Sequence, residues 1–466
     1  MTLERALADW AGSVDLAGRK RARALAADAL VDVTACAIAG SAESSTRAVL
    51  EIGRRFGTGS ALALGSDLRL PAPWAAFVGG TAAHALDYDD NLAPSATHAT
   101  AVLAPALFAL ADEEALPGAD VLDAYLVGLE LQGRIGRFVN PGHYETGWHA
   151  TSTIGTIGAA AACARLLRLG ADGILAAMSV AFSMASGSKQ QFGSMMKPIH
   201  AGLAAKNAVL AARMAEAGIS GDPRPLSGAW GLSELYGGTR HDEAGSALKD
   251  LDRVLVIETD GLLAKRFPCC AAAHPTLDGI VLLRETNQIR PEEVDRIDIV
   301  IPEFARANLR FDKPENEMEA RFSLTYTAAR VLLSGALSLN DLTPPMVSDP
   351  ATRRWFGRIS IVTHEGPPPA ELGFEATPAV TRITLADGRS YEVAISAARG
   401  WRDAPLTEEE LRGKFVDCCR WAGREWEAAR LFDLARSLPG VVRFPEFSEE
   451  LSRTFGAGKA RQKEHA

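Results

Sequence analysis

Cysteine is scarce in this sequence, and its spacing is typical of neither a disulfide framework nor a zinc site. Six cysteines occur in 466 residues, and four of them form two adjacent pairs, at 269–270 and 418–419. No C-x-x-C pair is present. Adjacent cysteines are poor partners for each other and for a single zinc ion, so the sequence predicts reduced thiols in a cytoplasmic protein.

An excess of positive charge and long apolar runs are also lacking. The 49 Lys and Arg residues are outnumbered by 58 Asp and Glu, which gives a formal net charge of -9. Because phosphate contacts need clustered cations, we expect no nucleic-acid partner. The most apolar run, residues 150–164, is too short and too polar to span a membrane. The first 15 residues are acidic and amphipathic, so neither a signal peptide nor a membrane anchor is expected.

The motifs of several large enzyme classes are missing as well. No phosphate loop, no HExxH zinc motif, no GxSxG nucleophile motif and no GxGxxG after a strand occurs. The glycines within residues 56–65 and 231–238 lack the strand-then-helix context that dinucleotide binding needs. The sequence therefore predicts no cofactor site.

The first half of the chain has the apolar periodicity of helices. Over residues 23–40 apolar side chains recur at intervals of three and four, and Gly40 closes the segment. The same period continues to about residue 255, and several segments carry Ala and Gly on every face. Such helices are buried all round and packed closely, as in the centre of a large bundle.

The pattern changes near residue 265, where strands enter. Five segments alternate in type: strands at 294–302, 359–365 and 380–396, and helices at 275–287 and 320–335. Asp387 and Gly388 supply a hairpin turn within the last strand pair. Helical periodicity returns after Gly400.

These patterns predict a mainly α fold with an α+β part. At 466 residues the chain is long enough for two or three domains. We expect a large all-α helical domain built from both termini, residues 1–267 and 401–466. A smaller α+β lid domain, residues 268–400, is inserted between them.

Residues 84–100 (HALDYDDNLAPSATHAT) concentrate titratable groups at one break between helices. Asp, Asn and Pro disfavour a helix interior, so a helix ends here and His98 begins the next one. His84 and Asp87 would share a helix face if the first helix persists that far. A capped interhelical loop is one interpretation. A His/carboxylate metal site is another, although no spacing matches a known ligand pattern.

A second polar helix start lies in residues 143–167. Gly147 and Trp148 break the chain, and a helix begins near His149 or Thr151. The positive end of the helix dipole favours a neutral His149, which suits a base. Tyr144 offers a phenol as acid or base. The alternative is a buried, hydrogen-bonded histidine beside a packed tyrosine.

Two further stretches present cations at helix starts. Pro198 suits the first position of a helix, and the helix N-terminus disfavours the ammonium of the preceding Lys197. Such a lysine can act as a base near neutral pH, whereas a solvated surface lysine is the alternative. Lys265 and Arg266 lie at the predicted domain junction, where paired cations suit a carboxylate substrate or an interdomain salt bridge.

Together these stretches resemble the MmgE/PrpD family over nearly the whole chain. Five blocks occur in the family's order: residues 79–112, 147–170, 196–221, 265–285 and 321–335. The family includes 2-methylcitrate dehydratases, cis-aconitate decarboxylases and iminodisuccinate epimerases. The resemblance implies a large all-α domain with a smaller α+β lid, a homodimer, and catalysis without metal or organic cofactor.

The resemblance also implies site residues. It places Asp87, His98, His149, Lys197, Lys265 and Tyr326 along the active site between the two domains, and Tyr144 and Arg266 join them. We expect catalytic roles for Lys197, Tyr144, His149 and His98, and substrate binding by Asp87, Lys265, Arg266 and Tyr326. The expected partner is a small polycarboxylate.

Departures from the family pattern bear on which reaction is expected. Asn91 stands where the family often has Thr, Ala99 and Ala150 stand where Pro is common, and the loop 90–98 is about one residue longer. We favour an iminodisuccinate epimerase with two bases, Lys197 and Tyr144. The reasons are the chain length, the pattern of helical and strand segments, and the presence of Tyr144, His149 and Lys197 together. A 2-methylcitrate-type dehydratase or cis-aconitate-type decarboxylase is the alternative. A non-catalytic polycarboxylate-binding protein is the second alternative.

Overall fold

The protein folds into two compact units. A computed structural model describes residues 2–237, 244–364 and 378–464. One unit, here the helical unit, comprises Met1–Leu262 and Leu411–Ala466, and the other, the sheet unit, comprises Leu263–Glu410. The sequence expectation had placed the inner domain at residues 268–400. The predicted fold class, mainly α with an α+β part, is confirmed.

Helices dominate the first part of the chain. They are α1 (Leu3–Ser13), α2 (Lys20–Gly40), α3 (Ser44–Arg54), α4 (Ala72–His84), α5 (Ala99–Glu113), α6 (Gly118–Val139), α7 (Gly142–Glu145), α8 (Ala150–Leu166), α9 (Gly170–Phe182), α10 (Met196–Glu216), α11 (Leu232–Tyr236), α12 (Ala244–Leu248) and α13 (Val256–Thr259). Short strands are β1 (Ala61–Leu62), β2 (Arg69–Leu70), β3 (Asn91–Leu92) and β4 (Leu262–Leu263). In the described residues no single helix is both long and apolar enough to cross a membrane. Only the pair α2 and α3, bent by 87°, passes that test, by length and composition together.

Close helix packing brings α4 and α10 together, as the Ala- and Gly-rich sequence predicts. A Cβ on Gly80 would lie 2.9 Å from Gly202 Cα, and a Cβ on Gly202 would collide with Thr81 Oγ1. Both glycines therefore permit an approach that any larger residue would block. This packing matters for the site because His84 ends α4 and Lys197 lies at the start of α10.

A four-stranded sheet with helices forms the sheet unit. Its elements are α14 (His274–Asn287), β5 (Val294–Ile301), α15 (Glu303–Asn308), α16 (Glu317–Ala320), α17 (Leu324–Ser334), α18 (Pro344–Val347), α19 (Pro350–Arg353), β6 (Ile359–Thr363), β7 (Ala379–Leu385) and β8 (Ser390–Ile395). The strand order is β6-β5-β7-β8, and only β5 and β6 are parallel. The chain then returns to helix in α20 (Glu408–Trp421), α21 (Ala428–Ser437) and α22 (Phe444–Glu464).

The strand predictions for this unit are confirmed in the described residues. Alternate residues of β5, Ile297, Ile299 and Ile301, are buried in a core that also contains residues of α14 and α17. The expected hairpin joins β7 to β8, with Thr384 opposite Ser390 and Gly388 at φ +89°. The predicted strand 359–365 ends at Thr363, and Glu365 of that expectation lies outside the described residues.

Replacement of Gly202 by Ala tests the close packing of α4 on α10. The added methyl group collides with the neighbouring helix, so we expect the free energy of unfolding to fall by about 1–3 kcal/mol. Urea unfolding measures this loss. Gly413→Ala is the matched control, because Gly413 lies exposed within α20 with no atom within 4 Å of its Cβ position. That variant should be neutral or slightly stabilised, and equal effects at both glycines would contradict the packing argument.

Candidate active site

The predicted catalytic residues of the helical unit lie at the ends of its central helices. His98 and His149 immediately precede α5 and α8, and neither side chain caps its helix. The backbone N–H of His98 donates to Thr151 Oγ1 at 3.0 Å, which fixes the two helix starts to each other. The expected helix starts near these two histidines are thereby confirmed.

Lys197 is buried beside a carboxylate and a histidine. Its Nζ lies 2.5 Å from Asp87 Oδ1 and 2.9 Å from His84 Nε2, and its side chain is 6% exposed. The helix N-terminus disfavours the ammonium form, whereas the Asp87 carboxylate favours it. Helix α10 begins at Met196, so Pro198 is its third residue and not the first, as the sequence had suggested.

Asp87 reaches Lys197 from an unusual backbone conformation. Its φ is +54°, in the left-handed region that non-glycine residues seldom adopt, although Asp tolerates it better than most. The residue is buried, and its Oδ1 also lies 3.7 Å from His98 Nε2. A backbone held in this region is frequent at functional sites, where the surrounding packing maintains it.

Asp89 contacts two histidines. Its Oδ1 and Oδ2 lie 2.9 and 3.0 Å from His84 Nδ1, and Oδ2 lies 3.1 Å from His98 Nδ1. Burial by itself would raise the pKa of Asp89, but the two histidines hold this pKa well below its ordinary value. Burial also lowers the pKa of His84, and the Asp89 carboxylate only partly offsets this. Asp89 is therefore ionised and His84 neutral near pH 7.

Asp90, the next residue, has the opposite character. Its carboxyl group contacts the backbone N–H and the hydroxyl of Thr100, and the Thr100 hydroxyl also lies 2.7 Å from Tyr125 Oη. Burial raises the pKa of Asp90 to about 7, and the Thr100 hydroxyl opposes that rise only in part. Two adjacent aspartates thus differ in pKa, because Asp89 lies against two histidines and Asp90 against Thr100.

His149 lies beside a histidine that the sequence prediction did not include. The Nδ1 atoms of His149 and His200 are 3.1 Å apart, so at most one proton lies between them. Burial, and then the positive charge of Lys197, hold the pKa of His149 well below its ordinary value. Burial lowers the pKa of His200 to about 4. Both rings are neutral near pH 7, as expected for His149 from its place at a helix start.

Tyr144 is placed by a different set of contacts. It belongs to the short helix α7, and the ammonium of Lys189 lies 3.6 Å from the centre of its ring. Lys189 Nζ also donates to the Tyr144 carbonyl oxygen at 3.3 Å, and the Tyr144 N–H donates to Asn140 Oδ1 at 3.3 Å. Its role as a second base stays a prediction.

The predicted substrate-binding residues of the sheet unit are anchored within that unit. Arg266 Nη1 lies 3.0 Å from Asp278 Oδ1, so this cation has an ion-pair partner in its own unit. The hydroxyl of the buried Tyr326 donates to the carbonyl oxygen of Asp341, and burial raises the pKa of Tyr326. Lys265 is fully buried. Substrate binding by these three residues stays a prediction.

Sequence reasoning left out His84, Asp89 and His200 as site residues. The first two belong to the same polar stretch as Asp87 and His98, and their spacing along the chain did not show which of them would face each other. His200 follows Lys197 by three residues on one helix, a spacing that places two side chains on the same face. That spacing was the sequence signal by which His200 could have been included as a site residue.

A metal ion could be held, on spacing alone, by four of these side chains. One ligand atom from each of His84, Asp87, Asp89 and His98 lies within 4.8 Å of the others. The Lys197 ammonium, however, already lies against Asp87 and His84. It supplies one positive charge beside the two aspartates, so the cluster has its own cation.

Comparison with known proteins gives the family. The MmgE/PrpD N-terminal domain matches residues 5–244, and the MmgE/PrpD C-terminal domain matches residues 267–438. The chain belongs to the MmgE/PrpD family.

Similar proteins are named as cis-aconitate decarboxylases or as decarboxylase-like. Cis-aconitate decarboxylase of Mus musculus is 31% identical over 364 residues, which cover 75% of this chain and 72% of that protein. Cis-aconitate decarboxylase of Homo sapiens is also 31% identical, over 75% of this chain and 73% of its own length. A cis-aconitate decarboxylase-like protein of Aspergillus oryzae is 24% identical over 83% of this chain and 84% of its own. The relatives are thus named as decarboxylases.

Replacement of Asp90 by Asn tests the contrast between the two aspartates. The pKa of Asp90 is about 7 in the folded protein and near 3.8 in the unfolded chain, so the contribution of its proton to stability is lost as pH rises through 7. Asn needs no proton, and we expect it to stabilise the protein increasingly from pH 5 to pH 8, by an amount of order 1–4 kcal/mol.

Urea unfolding of wild type and variant at both pH values measures this gain. Asp433→Asn, which removes one exposed carboxylate, is the control and should show no comparable rise. If Asp90→Asn is instead less stable than wild type at pH 8, then Asp90 is needed as a carboxylate.

Proposed function

We propose that this protein is a cofactor-independent acid–base enzyme that acts on a di- or tricarboxylate, at the carbon next to a carboxylate. The observation that carries the proposal is the buried Lys197 ammonium between Asp87 and His84, with His98 against the same Asp87. These groups offer a cation, a proton donor and proton acceptors at one place. Scaffold proteins have no need of such a set at successive helix ends.

The chemistry of the family's reactions requires this combination. In each of them electron density builds up on carbon beside a carboxylate, and a nearby cation stabilises that charge. A base must take a proton from carbon, or an acid must deliver one. A neutral histidine such as His98 or His149 accepts a proton, and Lys197 supplies the cation or, after losing a proton to substrate, the base.

Decarboxylation of a cis-aconitate-like tricarboxylate is the reaction that we favour. Its support is that the two relatives that are 31% identical over three quarters of this chain are cis-aconitate decarboxylases. In this reaction the bond to one carboxylate breaks, CO2 leaves, and the electron pair left on carbon takes up a proton from an acid. His98, as an imidazolium, is our candidate acid, because its Nε2 lies 3.7 Å from the Asp87 oxygen that pairs with Lys197.

Epimerisation of iminodisuccinate is the second candidate. The residue that favours it is Asn91, which stands at a position where the family often has Thr. Its Nδ2 lies 3.5 Å from His98 Nε2. A changed neighbour of the acid suits a changed reaction. Epimerisation needs proton removal on one face and return on the other, for which Lys197 and Tyr144 are the candidate bases. The homodimer, the cytoplasmic location and a 2-methylcitrate-type dehydration stay predictions beside these.

Proton NMR in D2O separates the candidates. Cis-aconitate, 2-methylcitrate and iminodisuccinate are offered separately to the purified protein. We expect cis-aconitate to lose CO2 and its product to carry deuterium at one carbon. Deuterium exchange into iminodisuccinate with a changed diastereomer ratio, without loss of CO2 or water, would favour the epimerase instead. Binding of an acid without any exchange would contradict both and indicate a binding protein.

Two substitutions connect the observed reaction to the site. Lys197→Ala should lower turnover by about 10²–10⁴-fold while the protein stays folded. Lys206→Ala is the matched control, because Lys206 lies on the same helix with its Nζ 5.1 Å from the ring of Trp74, and turnover should not change. Tyr144→Phe should abolish an epimerase, which needs a second base, and spare a decarboxylase that uses His98.

A further inference from the structure

Asp89 connects the two histidines that flank the Lys197 and Asp87 pair. It is fully buried, and one of its oxygens, Oδ2, lies 3.0 Å from His84 Nδ1 and 3.1 Å from His98 Nδ1. Both rings therefore direct the same nitrogen, Nδ1, at the same carboxylate. His84 and His98 are also in contact with each other, with ring centres 4.1 Å apart.

An ionised carboxylate can only accept hydrogen bonds, so His84 Nδ1, which is hydrogen-bonded to Asp89, carries its proton. His98 Nδ1 lies 3.1 Å from Asp89 Oδ2 outside the geometry of a hydrogen bond, and the negative charge beside it favours the proton on that nitrogen. The Nε2 atoms then face the reactive groups. His84 Nε2 accepts from the Lys197 ammonium at 2.9 Å, which requires that His84 be neutral. His98 Nε2 lies 3.5 Å from Asn91 Nδ2 and 3.7 Å from Asp87 Oδ1. The low pKa of Asp89 agrees with its place beside both rings.

We propose that Asp89 is the positioning residue that sets the tautomers of both histidines. It thereby makes His84 Nε2 an acceptor that holds Lys197 in place, and makes His98 Nε2 the atom that exchanges a proton with substrate. This inference rests on the proposed acid–base function. When His98 Nε2 takes up a proton, the ring becomes an imidazolium whose Nδ1–H still faces the Asp89 carboxylate, and no proton moves to the carboxylate. The same arrangement orients histidines in other acid–base sites.

Replacement of Asp89 by Asn shows why the carboxylate is needed. An amide of the same shape has one oxygen that accepts and one NH2 that only donates. The ring that faces the NH2 must present a lone pair at Nδ1 and carry its proton on Nε2. If that ring is His84, its Nε2–H opposes the Lys197 ammonium. If that ring is His98, its Nε2 cannot accept a proton from substrate, and the ring cannot become the imidazolium that would deliver one.

The tautomers can be read without any substrate. The chain has nine histidines, so histidine-selective 15N labelling gives a tractable long-range 1H–15N spectrum. His84→Gln and His98→Gln assign the two rings. Near pH 7 we expect His84 to be neutral and protonated on Nδ1 in the wild-type protein, and His98 to carry a proton on Nδ1 whether its ring is neutral or an imidazolium. In Asp89→Asn at least one of them should be protonated on Nε2.

The kinetic test separates positioning from folding. With the acid that the wild-type protein turns over, Asp89→Asn should lower kcat at least about a hundredfold while KM changes by less than about threefold. Asp90→Asn is the matched control, because it makes the same change in the adjacent buried aspartate, which contacts Thr100 and no histidine. At pH 6 Asp90 carries its proton, so this variant should keep wild-type kcat.

A second substitution series tests the acceptor for Lys197. His84→Gln places an amide oxygen near the position of Nε2 and should retain more activity than His84→Ala, which offers no acceptor. Equal losses in the two variants would contradict the role assigned to His84 Nε2.

The outcomes distinguish this inference from the proposed function. Protonation of wild-type His84 on Nε2, or of a neutral His98 on Nε2 in place of Nδ1, would overturn it, whatever reaction the protein catalyses. So would an Asp89→Asn protein with unchanged tautomers and unchanged kcat. If no candidate acid is turned over while both rings are protonated on Nδ1, the proposed function fails and the tautomer assignment stands.

Discussion

The buried pair of Lys197 and Asp87 is the interaction on which the site depends. Removing two charges from water is costly, and their attraction repays this only if further hydrogen bonds satisfy them. His84 provides one such bond by accepting from Lys197. Loss of one partner would leave an uncompensated buried charge, at a cost of about 3–5 kcal/mol. The surrounding residues therefore serve the pair's geometry as much as its chemistry.

The packing of the helices places the members of this pair. Asp87 follows the end of α4 and Lys197 lies at the start of α10, and these helices approach closely enough that only glycine fits at positions 80 and 202. His98 and His149 precede two further helices that Thr151 connects. Helix ends concentrate unsatisfied backbone groups and dipole charge, which is why polar chemistry gathers there. The apolar interior of the bundle in turn buries these polar groups away from solvent.

Much of the fold could be predicted from the sequence, and the site only in part. Periodicity and turn chemistry were sufficient for the helices and for the β7–β8 hairpin, because both are local properties. The helix starts at His98 and His149 followed from the breaks before them. Local patterns, however, carry no information on which side chains meet across helices.

The pairing of Asp89 with two histidines is a contact of this tertiary kind, which local sequence patterns do not reveal. Residues 84–100 showed three aspartates and two histidines, but only tertiary structure shows that Asp89 faces the histidines whereas Asp90 faces Thr100. Burial and donors then give the adjacent carboxyl groups different pKa values. The contact between His149 and His200 likewise spans two helices, α8 and α10, and depends on their packing.

The central claim is that Lys197, and no metal ion, is the cation of this cluster of histidines and aspartates. Elemental analysis and turnover of cis-aconitate, both after exhaustive dialysis against a chelator, test it most directly. We expect full turnover in protein that holds far less than one metal ion per chain. Turnover that is lost on chelation and restored by one divalent metal would contradict the account, because the metal would then occupy the place assigned to the Lys197 ammonium.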